Sequence, residues 1–95
     1  MRARFTLAAF EDVAAISLWH EATVADRLES AVFAAAGRLE KQPELGVQTD
    51  DRDVRRWPMP EHRLAIFYRI NWQADRLDVV RVIDSRQLRD LRHAP

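Results

Sequence analysis

Apolar and polar positions change period along this chain. Arg2–Leu7 alternates charged and apolar residues (R-A-R-F-T-L), which predicts a short first strand. From residue 8 the spacing becomes helical: Ala9, Val13, Ile16 and His20 recur at steps of 4, 3 and 4, predicting an amphipathic helix over 8–21. Thr23 opens T-V-A-D, which resembles a capping box with Asp in place of Glu and predicts the start of a second helix. Its stripe is Ala25, Leu28, Val32, Ala35 and Leu39, and Pro43 and Gly46 end it. Two helices joined by a turn of a few residues form an α-hairpin.

Residues 43–53 are acidic and turn-rich and are expected to be a loop. The period then becomes two. Val54–Met59 predicts a short strand whose Pro58, followed by Pro60, suits a strand end or a sheet edge, because proline donates no ladder bond. His62–Trp72 alternates, with Leu64, Ile66, Tyr68, Ile70 and Trp72 on one face. A turn at 73–76 leads to a last strand, Leu77–Ile83, apolar on both faces and so expected to be central in the sheet rather than at its edge. Ser85–Leu91 is expected to form a short helix with Asp84 or Ser85 as N-cap. The fold class is therefore α+β in the order β-α-α-β-β-β: an N-terminal strand, an α-hairpin, then a three-stranded, mostly antiparallel sheet and a terminal helix. The helices should cover one sheet face and leave the other open.

Ninety-five residues make one domain, 1–95, with one modest core. No apolar run approaches the roughly 20 residues that span a bilayer, and Glu11 and Asp12 arrive too early for a signal peptide. With no cysteine there is neither a disulfide framework nor a thiolate metal site, and a cytoplasmic protein is expected. His20, His62 and His93 are dispersed, and the two glycines build no phosphate loop, so no metal or cofactor is expected. The paired carboxylates Glu11/Asp12 and Asp50/Asp51 are expected to be solvated surface.

Charge separates the halves. Residues 1–51 hold 5 Lys+Arg against 9 Asp+Glu, and residues 52–95 hold 10 Arg against 6 Asp+Glu, so a neutral chain joins an acidic half to a basic one. Its arginines are the informative set. Arg55 or Arg56, Arg69 and Arg81 are brought into one sheet, where guanidinium could bind an anion or pair with Asp53, Asp78 or Asp84. Arg81 poses the sharpest question. Counting by twos places it on one face with Leu77, Val79 and Ile83, as a buried ion pair, a binding site or a catalytic site. Arg86, Arg89 and Arg92 follow in the tail, and Trp57 and Trp72 are candidates either for exposed contacts or for rim packing.

Taken in order, EDVAAISLW, RLEKQPELG (with Leu39, Pro43 and Gly46), VRRW, LAIFYRI and RVIDSR resemble the RelE/ParE superfamily of type II toxin–antitoxin toxins over nearly the whole chain. The resemblance implies an α-hairpin against a small antiparallel sheet. It also implies one of two activities: a ParE-like inhibitor that binds DNA gyrase without hydrolytic chemistry, or a RelE-like ribosome-dependent mRNA interferase. Four features favour the ParE-like reading. The chain is neutral, with pI near 6.8. It has one lysine, Lys41; its only tyrosine, Tyr68, sits in a strand; and Asp84 stands where many relatives carry histidine. The resemblance implies Arg55, Arg56, Trp57, Arg69, Arg81, Asp84 and Arg86 as target- or antitoxin-binding residues, with no catalytic residue. Arg81 stands where the superfamily's strand carries a recurrent arginine. The implied partners are a cognate antitoxin of ribbon-helix-helix type with a disordered C-terminal segment, and gyrase as target, without direct nucleic-acid or membrane binding. The implied alternatives are the interferase, with Arg55 or Arg56, Arg69 and Arg81 contacting phosphate, or an inactive relative that only pairs with its antitoxin.

Overall fold

The computed structural model describes residues 1–85. The elements run β1 (Arg2–Phe5), α1 (Leu7–Leu18), α2 (Ala22–Lys41), β2 (Val47–Gln48), β3 (Arg55–Met59), β4 (Leu64–Asn71) and β5 (Arg76–Asp84), with short 3-10 turns at Pro43–Leu45 and Pro60–His62. The α+β class is as expected, but the sheet has five strands, in the order β1-β5-β4-β3-β2. The additional strand, β2, lies in the expected loop and pairs only Val47 with Arg56 and Gln48 with Arg55. β1 joins in parallel beside β5, and the other pairings are antiparallel. β5 is off the edge, as its two apolar faces required, but β4 rather than β5 is the central strand, because β2 adds a strand beyond β3. Pro58 lies on β3 beyond the reach of β2, where the missing donor costs no ladder bond.

Helix boundaries follow capping chemistry more closely than periodicity. Thr6 is the N-cap of α1: its hydroxyl accepts from Ala9 N–H at 3.2 Å and donates to the Val80 carbonyl at 3.2 Å. One side chain therefore starts a helix and ties it to β5. Thr23 lies inside α2, whose N-cap is Glu21 without a side-chain cap bond, so the expected capping box does not form. α1 also stops at Leu18, which leaves His20 beyond the helix.

Both helices pack on one sheet face. Ala9 and Ile16 of α1 and Leu28, Val32 and Leu39 of α2 join Met59, Leu64, Ile66, Tyr68, Leu77, Val79 and Val82 in one core. Ala25 and Ala36, rather than Ala25 and Ala35, are the buried alanines of the α2 stripe, and Trp72 lies in the β4–β5 turn, 62% exposed. Two helical carboxylates satisfy strand N–H groups left without a ladder partner: Glu40 accepts from Ala3 N–H at 2.7 Å and Asp12 from Val82 N–H at 3.0 Å. Among the described residues, no helix is long and apolar enough to cross a membrane.

Candidate functional site

Arg81 is reached through an irregularity in the sheet. Phe67 faces Arg81 while the next residue, Tyr68, faces Val79, so Val80 is an extra residue on β5. Such a bulge shifts the side-chain alternation by one. The buried set on β5 is accordingly Leu77, Val79 and Val82, and Arg81 does not share their face. Its guanidinium turns to α1 and binds Asp12 in a fork, Nε to Oδ2 at 2.7 Å and Nη2 to Oδ1 at 3.0 Å. The hydrogen bond and charge of Asp12 raise the Arg81 pKa further above its ordinary value. Asp12, expected to be a solvated surface acid, thus holds both Arg81 and the Val82 backbone, and its side chain is only 17% exposed.

The other arginines divide between the two faces. Arg55 pairs with Tyr68 on the helical side and donates from Nη1 to the carbonyls of Gly46 (2.8 Å) and Glu44 (3.3 Å). The Tyr68 hydroxyl grips the same loop, donating to the Pro43 carbonyl at 2.6 Å and accepting from Gly46 N–H at 2.8 Å. Burial raises the Tyr68 pKa, opposed by the Gly46 hydrogen bond and the Arg55 charge. Glycine is required at 46, because a Cβ there would stand 2.6 Å from Tyr68 Cε1. The chain's single tyrosine is a loop clamp, with its hydroxyl fully engaged.

Arg56 and Arg81 flank Phe67 in one cross-strand row on the open face, and Arg69 lies in a neighbouring row. Arg69 approaches Asp51 at 3.6 Å with both side chains about half exposed, a pair that adds little stability. Trp57 packs against the core from β3 with the Arg38 guanidinium 5.5 Å above its ring. It borders a cavity of about 390 Å³ with Ala34, Ala35, Met59 and His62. Asp84 ends β5 opposite Leu64, half-buried. The structure therefore places Arg56 and Arg69 on the outer face, turns the Arg81 guanidinium to Asp12 on α1, and places Arg55 and Trp57 on the inner face. Arg86, Arg89, Arg92 and the expected terminal helix lie outside the described residues. Among the described residues, no group of three or more His, Asp or Glu could hold a metal ion.

A second surface was not anticipated from periodicity. Leu7, Phe10, Leu18 and Trp19 on and after α1 and Phe33 on α2 are exposed by 54–87%. Phe5, Phe10, Val13, Ala14, Glu29 and Phe33 line a groove of about 180 Å³. The Phe5 and Phe33 rings meet at 5.5 Å between centroids. The signal lay in the sequence: Leu7–Leu18 is polar only at Glu11, Asp12 and Ser17. A helix apolar on nearly every side requires cover on both sides, and the sheet provides it on one.

The family described as the ParE toxin of the parDE type II toxin–antitoxin system matches residues 3–89. The chain belongs to the ParE toxin family. No curated protein matches it. As a type II toxin, this ParE chain has a cognate antitoxin as partner. The matched span includes both the helical groove and the arginine-bearing sheet face. It also includes Asp12 and Arg81, joined by their fork.

Proposed function

We propose that this ParE toxin arrests growth by binding DNA gyrase, and that its antitoxin silences it by laying an amphipathic segment into the α1–α2 groove. The observation that carries the antitoxin half is α1, a helix whose core face meets the sheet while Leu7, Phe10 and Leu18 remain exposed. Apolar side chains of a partner helix at i, i+3, i+4 and i+7 suit such a groove. Acids flanking that segment would meet Arg56 or Arg69 at the sheet. The target half rests on membership of the family and on the absence of spare acid–base chemistry at Tyr68 and Arg81: the hydroxyl of one and the guanidinium of the other are already engaged. Arg56, Arg69 and Arg81, with Trp57, Asp84 and Arg86, are the proposed contacts. The measurement is supercoiling by purified gyrase with and without toxin. Loss of supercoiling, restored by antitoxin, is the expected result; unchanged activity at large toxin excess removes the gyrase claim.

A further inference from the structure

The half of the open sheet face nearest the start of β1 holds a cluster of cations that the fold does not need. In one row Arg2 of β1 lies directly opposite Arg76 of β5. In the next, Arg4 lies opposite Asp78, which in turn lies opposite Arg69 of β4. Ala3, Phe5, Leu77 and Val79 of these strands pack into the core, so the arginines stand on the far side. Asp78 is committed to Arg76, with Nε–Oδ1 at 2.8 Å and Nη2–Oδ2 at 3.4 Å. Among the described residues, Arg2 and Arg4 form no ion pair, and Arg69 has only its 3.6 Å approach to Asp51. Like charges directly opposite on neighbouring strands destabilise a sheet. A local arrangement that costs stability without structural return marks a functional surface.

We infer that this face, formed by Arg2, Arg4 and Arg69 around the Arg76–Asp78 pair, binds an extended acidic segment of a partner protein. Spacing supports an extended ligand: Arg2 and Arg4 are two residues apart on one strand, about 6.8 Å, which is also the repeat of alternate side chains in an extended peptide. Carboxylates are favoured over a nucleic-acid backbone by what already lies on the face. The face already holds one carboxylate, Asp78, on the Arg76 guanidinium at 2.8 and 3.4 Å, the planar fork that Arg2, Arg4 and Arg69 also carry. A neutral molecule also lacks the long-range field that draws basic proteins to nucleic acid. The face is separate from the α1–α2 groove but shares Arg69 with the contacts proposed above, and at that residue the inference rests on that reading.

The test uses the full chain and a fluorescein-labelled octapeptide alternating aspartate and serine, followed by anisotropy at low salt. A peptide alternating asparagine and serine and a 20-base-pair DNA duplex run in parallel. The acidic peptide is expected to bind, to weaken as salt rises, and to exceed both controls. Arg4→Gln with Arg69→Gln should weaken it by about a hundredfold, roughly tenfold for each charge-assisted bond lost. Arg2→Gln alone provides a second variant at an exposed position, and circular dichroism checks that each variant remains folded. The inference is overturned if the acidic peptide does not bind, if the duplex binds as tightly, or if folded variants bind unchanged. Self-association of the unliganded chain that the peptide reverses would assign the face to the acidic loop of a second copy, and would overturn it equally. The peptide assay contains no gyrase, so its failure and unchanged supercoiling are distinguishable results.

Discussion

Asp12 and Arg81 form one ion pair, yet their removal should have unequal consequences. Asp12→Ala deletes the acceptor for the Val82 N–H, and Val82 is 1% exposed, so water does not replace that bond. An orphaned buried donor costs about 1–3 kcal/mol. The lost pair with Arg81 adds about 0–1 kcal/mol, discounted because the Arg81 side chain is 54% exposed. Arg81→Ala removes only this second contribution, since Asp12 keeps its bond to Val82. The predicted costs are therefore about 1–4 kcal/mol for Asp12→Ala and at most about 1 kcal/mol for Arg81→Ala. Asp12→Asn, which keeps an oxygen acceptor for Val82, should fall between them. Urea unfolding of the two singles, the double variant and Asp12→Asn measures this, and the cycle isolates the pair. In a domain of this size each kcal/mol moves the Tm by roughly 4–8 °C. An Arg81→Ala variant as unstable as Asp12→Ala would refute the reasoning, because the guanidinium would then be the structural partner. If Arg81→Ala is stable, its effect on growth after induction reads contact with target or antitoxin directly.

Two further outcomes follow from the clamp and the groove. Tyr68→Phe strands the buried Gly46 N–H and should cost about 1–3 kcal/mol in chemical denaturation. Because the folded Tyr68 pKa is raised, its stabilisation is complete below the unfolded value of 10.0 and is lost as pH rises through the folded value, so Tyr68→Phe should lack that alkaline step; a wild-type profile flat to the same pH would contradict it. Phe33→Glu, at a side chain 54% exposed, should leave the Tm within a few degrees and weaken antitoxin binding by at least tenfold in calorimetry, an effect that unchanged affinity would rule out.

How much could be read from the chain differs between features. The helical stripes of Leu28, Val32 and Leu39 and the alternation of Leu64, Ile66 and Tyr68 were legible because burial on one face is written into local period. Thr6 as an N-cap was not read, since the alternation R-A-R-F-T-L continues through it. Thr23 suggested a capping box, but α2 had already begun at Ala22. β2, two residues long, is too short to show any period, and only its partner β3 defines it.

The sequence by itself determined the class of fold, the α-hairpin, the interior place of β5 and the resemblance that the ParE family match later bore out. Those properties follow from residues near one another in the chain. Only the tertiary structure decided what the arginines do. The extra residue Val80 moved Arg81 off the buried face of β5, and the packing of α1 brought Asp12 to it from 69 positions away. Tyr68 found its loop in the same manner, across 22 residues to Gly46. A hydrogen bond depends on position in space within a few tenths of an ångström. Local periodicity carries no information about which distant group will stand there.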